Sequence, residues 1–280
     1  MIENPIIDSH VHLWDPRRFR MPWLDDIPEL RRAFGTAEYS EDARQLPVSG
    51  VVYVQVDVTP AYGLLEARWA VEQPLVEGVV AWAPMEDGAV AASYLDALVA
   101  LGDRIKGVRR LLQSEPDPEF LVARELIEGL QLLPRYGLSF DICIRHHQLA
   151  RTIDMVRACP ETQFVLDHLG KPDVRGALLE PWREQMAELA SMPNVACKLS
   201  GLVTEADHAT WTVDDLAPYV AQVLDVFGTD RVMFGGDWPV VRLAATYPKW
   251  VETLDKLTTK LSAEAKRKLW SENARRFYRL

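Results

Sequence analysis

Two histidines separated by one residue end the first apolar segment of the chain, Ile6-Ile7-Asp8-Ser9-His10-Val11-His12. Alternate side chains of a β-strand point to the same face, so His10 and His12 face the same way if this segment is a strand. Two imidazoles in this arrangement can bind one metal ion or hydrogen-bond to one carbonyl oxygen. The same pattern also arises where a strand merely leaves the core, so its meaning depends on the rest of the chain.

Other residues with chemical potential follow later apolar segments. His146, His147 and His168 do so, as does Asp237, which is a candidate metal ligand or general base. Further candidates are three positions within or just after apolar segments: Arg109, Lys171 and Lys198. Arg109 is followed by Arg110, and consecutive strand residues point to opposite faces, so at most one of them faces an interior. Lys198 needs a partner for its ammonium, and Asp237 is a candidate.

The apolar segments that carry these residues alternate with helical patterns. Eight strands are predicted, within residues 6–12, 50–58, 78–85, 107–113, 138–144, 163–167, 195–200 and 231–235. Short apolar strands joined by helices indicate a parallel sheet, and eight such units in 280 residues are typical of the (β/α)8 (TIM) barrel. A doubly wound open sheet is the alternative, although no Gly-x-Gly-x-x-Gly follows a strand. We expect one domain over residues 1–280.

The barrel prediction gives the candidate residues a common location. Active sites of (β/α)8 barrels lie at the C-terminal ends of the strands. Five of the six histidines, all except His208, follow strand ends closely, and the opposite ends carry none. A shared site built from these histidines and Asp237 is therefore favoured over chance scatter.

Composition excludes several other classes of function. The net charge of −10, from 31 basic and 41 acidic residues, argues against a surface for nucleic acid or anionic membranes. No apolar run is long enough for a membrane span, and the first residues show no signal-peptide pattern, so a cytoplasmic protein is expected. The cysteines, Cys143, Cys159 and Cys197, form no Cys-x-x-Cys pair and are expected to be free thiols. The sequence favours no particular oligomeric state.

Two features of the loops and helix starts are also predicted. The long irregular stretch after the first strand carries Trp14 and Trp23, which favour an ordered loop that covers a site. Ser40, followed by two acidic residues, is predicted to be the N-cap of the next helix.

Longer motifs resemble a known family. They are DSHVHLWDP near the start, PWL at 22–24, FDICIRHHQL, FVLDHLGKPD, VACKLSGLVTEAD and RVMFGGDWPV. Together they resemble the amidohydrolase superfamily, and within it the sugar-lactone hydrolases similar to L-fuconolactonase and L-rhamnono-lactonase. The resemblance implies a distorted (β/α)8 barrel that hydrolyses an intramolecular ester.

The resemblance also bears on metal content. Many superfamily members bridge two ions with a carboxylated Lys or a Glu on strand 4, whereas this chain has Arg109 and Arg110 there. A binuclear site is therefore not expected. Lactonases of this branch are thought to work without metal, although some relatives bind zinc. We expect no required cofactor and at most one divalent ion such as zinc, held by His10, His12 and Asp237.

The resemblance implies these roles for the candidate residues. Asp237 activates water as general base, and the carbonyl oxygen is stabilised by His10, His12, His168, Arg109 and Lys198. His147 is favoured over His146 as the equivalent of the family's residue after strand 5. The expected sugar-binding residues are His147, Trp14, Trp23, Lys171 and Trp238. Alternatives are a metal-dependent decarboxylase of the same superfamily and a non-catalytic barrel that only binds a ligand.

Overall fold

A ring of eight parallel strands forms the centre of the computed structural model, which describes residues 4–280. The strands are β1 (Ile6–Val11), β2 (Val48–Val54), β3 (Val76–Ala81), β4 (Ile105–Val108), β5 (Ser139–Ile142), β6 (Phe164–Leu166), β7 (Val195–Leu199) and β8 (Val232–Phe234). Each strand pairs with the next in sequence order. Just beyond β8, a parallel bridge between Trp238 and Val11 brings the last strand segment back to the first. The predicted (β/α)8 barrel is confirmed.

Helices follow the strands as the sequence pattern indicates. They are α1 (Thr36–Asp42), α2 (Gly63–Val71), α3 (Ala91–Val99), α4 (Arg124–Leu130), α5 (Leu149–Ala158), α6 (Trp182–Ala190), α7 (Val213–Phe227), α8 (Tyr247–Leu257), α9 (Ala263–Arg267) and α10 (Asn273–Tyr278). A π-helical turn, Lys268–Glu272, joins α9 to α10. Within residues 4–280, no helix has the length and apolar character needed to cross a membrane.

The element boundaries differ from the sequence prediction where side chains at the site or at turns override periodicity. The predicted strand 107–113 is only β4, which ends at Val108 before Arg109 turns into the barrel. The predicted N-cap at Ser40 is wrong because α1 already begins at Thr36. Glu38 accepts the backbone N–H of Gly35 at 3.0 Å and so stabilises the earlier start of the helix.

The apolar residues of the described chain form two clusters. The larger one lies between the strands and the surrounding helices. The smaller one combines one face of the strands, including Ile7 and Val165, with Ala274 and Tyr278 of α10. Lys106 at the start of β4 donates to the carbonyl of Arg279, so α10 closes the N-terminal end of the barrel. The opposite end is left for the site.

Candidate active site

A cavity of about 300 Å³ opens at the C-terminal ends of the strands. Its lining includes the aromatic side chains of Trp14 and Trp23 and the polar side chains of His12, Arg109, His168, Lys171 and Asp237. Seven of the residues singled out in the sequence therefore share one cavity. Its size suits a ligand of one sugar ring.

Three imidazoles converge on one carboxylate in this cavity. His10 Nε2 lies 3.1 Å from His12 Nε2. Asp237 Oδ1 lies 3.5 Å from His12 Nε2, 3.8 Å from His10 Nε2 and 4.0 Å from His168 Nε2. All four residues are nearly or completely buried. The groups that alternate strand ends supply are thus brought within contact of each other.

Neighbouring groups fix the orientation of two of these rings. His12 Nδ1 lies 2.7 Å from the carbonyl oxygen of Val54, which can only accept. The proton of a neutral His12 is therefore on Nδ1, and its Nε2 presents a lone pair to the site. His168 Nδ1 pairs with Ser200 Oγ at 2.9 Å. Burial lowers the pKa of all three histidines, which favours their neutral forms.

Asp237 is ionised in these surroundings. Burial by itself would raise the pKa of its carboxyl group, but His168 and His12 outweigh burial and hold that pKa below its ordinary value. Its backbone has φ of 52°, a conformation that non-glycine residues rarely adopt and that is found more often at functional sites. The N–H of Asp237 donates to the carbonyl of His10 at 2.8 Å, which ties the two residues together through the backbone.

Asp8 supports the same corner of the site and was missed by the sequence analysis. Its carboxylate accepts the backbone N–H groups of His10 and Gly236, at 3.1 and 2.7 Å. It also accepts the hydroxyls of Tyr39 and Tyr247, at 3.0 and 2.8 Å. A carboxylate inside an apolar strand is costly without such partners, and that cost was the available signal.

The partners of Lys198 differ from the expectation. Its Nζ contacts Asp141 Oδ2 at 2.5 Å and Asp167 Oδ1 at 3.0 Å, whereas we had suggested Asp237. Lys198 lies fully buried beneath His10, 3.2 Å from its Nδ1, and does not line the cavity. Asp141 and Asp167 were also missed, although each is an acidic residue within or at the end of an apolar strand.

Arg109 and Arg110 point to opposite sides, as their positions require. Arg109 Nη1 contacts Asp167 at 3.2 Å, and its Nη2 donates to the carbonyl of Gln55 at 2.5 Å. Arg110 lies outside the cavity, where it pairs with Glu86 and Glu115.

Two residues expected to bind substrate do not line the cavity. His147 is exposed because His146–Gln148 forms a short 3₁₀ turn that carries it away from the barrel axis, and His146 is half-buried in the same turn. The β5 segment contributes Cys143 to the lining instead. Trp238 is fully buried, donates to Asp42 and packs against Tyr39, so it holds the Asp237 turn in place.

The donor set fits a single divalent ion. His10, His168 and Asp237 each offer one ligand atom, all within 4.8 Å of one another. His12 Nε2 adds a lone pair beside them, so this set includes His168 in addition to the expected His10, His12 and Asp237. Imidazole nitrogens with one carboxylate oxygen are typical ligands of zinc.

Comparisons with known proteins agree with this geometry. The amidohydrolase family model matches residues 7–280. The L-fucono-1,5-lactonase of Burkholderia multivorans is 32% identical, over 98% of this chain and 96% of its own length. The L-rhamnono-gamma-lactonase of Scheffersomyces stipitis is 24% identical over the full length of both chains.

Solved structures give the same result. A Burkholderia multivorans amidohydrolase with bound zinc has a TM-score of 0.88 at 30% identity, covering 98% of this chain and 99% of its own. A 2,6-dihydroxybenzoate decarboxylase has a TM-score of 0.63 at 14% identity over the full length of both chains, which shows the shared fold alone. The match over nearly the whole chain, together with the His-x-His strand and the Asp237 turn, shows that this chain belongs to the amidohydrolase family.

Proposed function

We propose that the protein hydrolyses a sugar lactone, such as L-fucono-lactone or a related aldonolactone, to the sugar acid. The observation that carries this proposal is the ionised Asp237, held within 4.0 Å of three neutral imidazoles in a sugar-sized cavity. The lactonase relatives support the same reaction class.

In the proposed mechanism, Asp237 accepts a proton from a water molecule as its oxygen bonds to the lactone carbonyl carbon. The ring C–O bond then breaks, and the departing alkoxide takes the proton back from Asp237. A carboxylate of low pKa is a weak base, so its contribution depends on holding the water in place. Arg109, which lines the cavity, is the cation placed to stabilise the negative charge that develops on the carbonyl oxygen.

The cavity walls suit a ligand with both C–H faces and hydroxyl groups. Trp14 and Trp23 supply aromatic surface, and their rings pack edge to face 5.4 Å apart. Gln113 and Lys171, linked at 2.5 Å, supply polar contacts. The cation of Lys171 is already matched to this amide and lies 3.9 Å from Glu205, which favours an uncharged ligand over a dicarboxylate.

A divalent ion would be held by His10, His168 and Asp237, with His12 beside them. Bound there, it would act as a Lewis acid and lower the pKa of water. We propose that hydrolysis does not require it, because Asp237 and Arg109 already supply the base and the positive charge.

Decarboxylation of an aromatic or unsaturated acid is less well supported. That reaction requires a cation free to bind the substrate carboxylate. Arg109 is engaged by Asp167 and Gln55, and Lys171 by Gln113. A barrel that only binds a ligand does not explain why a carboxylate and three imidazoles are assembled in the cavity.

The first test is acid release from a panel of sugar 1,4- and 1,5-lactones with chelator-treated enzyme. We expect rapid hydrolysis by the wild type and a loss of about 100-fold or more in kcat for Asp237→Asn, the scale of general-base catalysis. Asp225→Asn, which changes an exposed carboxylate on α7, is the control and should match the wild type. Wild-type turnover by Asp237→Asn would contradict the assigned role, and silence towards every lactone, with and without zinc, would contradict the proposed function.

A further inference from the structure

Four charged side chains form a layer beneath the cavity: Asp141, Asp167, Lys198 and Arg109. Lys198 contacts both carboxylates, and Arg109 contacts Asp167. The two positive and two negative groups balance, and Arg109, the most exposed of them, has 4% of its surface accessible. Tyr278 of α10 donates to Asp141 at 2.8 Å and anchors the layer from below.

This layer offers His10 Nδ1 two partners of opposite kind. Lys198 Nζ and Asp167 Oδ1 both lie 3.2 Å from that nitrogen. An ammonium only donates and a carboxylate only accepts, whereas a neutral imidazole carries its proton on one nitrogen at a time. Lys198 therefore matches the tautomer with the proton on Nε2, and Asp167 matches the tautomer with the proton on Nδ1.

The described contacts favour the first tautomer. Lys198 Nζ is aligned to donate to His10 Nδ1. On the other side of the ring, His12 Nε2 presents a lone pair 3.1 Å from His10 Nε2, and an Nε2–H of His10 satisfies it. Asp167 Oδ1 is buried at ion-pair distance from its neighbours but has no aligned hydrogen bond. It is thus an acceptor in reserve.

Coordination of a divalent ion requires the second tautomer. His10 Nε2 must then offer its lone pair, so the proton has to be on Nδ1. Asp167 Oδ1 is in place to accept that proton, as carboxylates do behind many metal-bound histidines. Lys198 keeps both of its carboxylate partners when it gives up Nδ1.

We propose that Lys198 and Asp167 are positioning residues that let His10 exchange tautomers, so that the same site works with or without a divalent ion. Lys198 holds the form that donates from Nε2, and Asp167 holds the form that coordinates. The catalytic consequence rests on the proposed lactone hydrolysis. The exchange itself can be measured without turnover, so failure of one proposal is distinguishable from failure of the other.

The test is NMR of protein labelled with ¹⁵N-histidine, since the ring nitrogen shifts report which nitrogen carries the proton. Signals of His10 are identified by their loss in His10→Asn. In chelator-treated wild type we expect the proton on Nε2, and on titration with zinc we expect it on Nδ1. The same tautomer in both states, or no zinc binding, would overturn the proposal.

Lys198→Met removes the donor and leaves Asp167 in place. We expect its His10 to carry the proton on Nδ1 before zinc is added, and zinc to bind about tenfold more tightly, the scale of one charge-assisted hydrogen bond. Tyr278→Phe is the control, because it removes one contact of the layer and keeps both partners of His10, so the wild-type tautomers should persist. Tighter zinc binding with no change of tautomer would reflect only the lost positive charge and would count against the proposal. If Lys198→Met does not fold, the wild-type titration decides alone.

Discussion

Single buried carboxylates determine much of the site's geometry. Asp8 and Asp167 each hold a part of His10, and Glu66 of α2 holds the turn after β2. Glu66 Oε1 accepts the hydroxyl of Tyr53 and the N–H of Val56, both at 2.7 Å, whereas its Oε2 has no partner. Burial raises the pKa of Glu66 to about 7.

This shift predicts an inverted pH dependence of stability at one residue. The folded-state pKa is raised, so the contribution of Glu66 is fully present below its unfolded pKa of about 4.5 and is lost as pH rises through about 7. Glu66→Gln mimics the protonated form at every pH. We expect the free energy of unfolding of the wild type to fall relative to that of the variant by about 3 kcal/mol between pH 4.5 and 8. Urea unfolding at several pH values measures this, and a constant difference would refute the assignment.

The segment between β1 and α1 covers the cavity because two indoles fasten it. Trp23 Nε1 donates to the carbonyl of Val56 at 2.8 Å, and Trp14 Nε1 donates to that of Arg32 at 2.8 Å. A long segment without regular structure is thus ordered over the site by hydrogen bonds to backbone.

Trp23→Phe keeps an aromatic ring but removes its hydrogen bond to Val56. We expect KM for the lactone to rise about fivefold, with kcat little changed, since one neutral hydrogen bond is worth about 1 kcal/mol. Trp69→Phe on α2, away from the cavity, is the control. Steady-state kinetics of the three proteins check this, and an unchanged KM in Trp23→Phe would show that the indole does not position the cover.

Elements were easier to predict than their ends. Apolar segments alternating with helical periodicity indicated all eight strands, and α7 begins and ends where the pattern predicts. The short extents of β4 and β6 could not be read from the sequence, because pairing with neighbouring strands decides where a ladder stops. The exposure of His147 likewise follows from a 3₁₀ turn that residue types did not reveal.

At the scale of the whole molecule, the two ends of the barrel divide stability from chemistry. His10, His12, His168 and Asp237 were found from residue type and position at strand ends, which is where this fold places its site. Asp141 was not, because it lies within an apolar strand and shows its role only through Lys198 and Tyr278. Its partner in α10 is 137 residues away in sequence.

Tyr278 connects the closing helix to the interior of the barrel. Tyr278→Ala removes a fully buried ring and its hydrogen bond to Asp141, so we expect a loss of about 4 kcal/mol in the free energy of unfolding. Tyr62→Ala removes a ring that is 36% exposed and should cost far less. Thermal and urea unfolding compare the two, and equal losses would show that α10 does not secure the barrel.

The bridge that joins Val11 to Trp238 makes assembly of the site a late event in the life of each chain. The ribosome synthesises His10 near the start of translation and Asp237 only after more than four fifths of the chain. Because the two residues are tied directly by backbone hydrogen bonding, no nascent fragment that lacks the segment after β8 can hold the base against the imidazoles. Domains form as units during synthesis. Turnover in a translating extract is therefore expected to appear with full-length chains and to be absent from stalled intermediates.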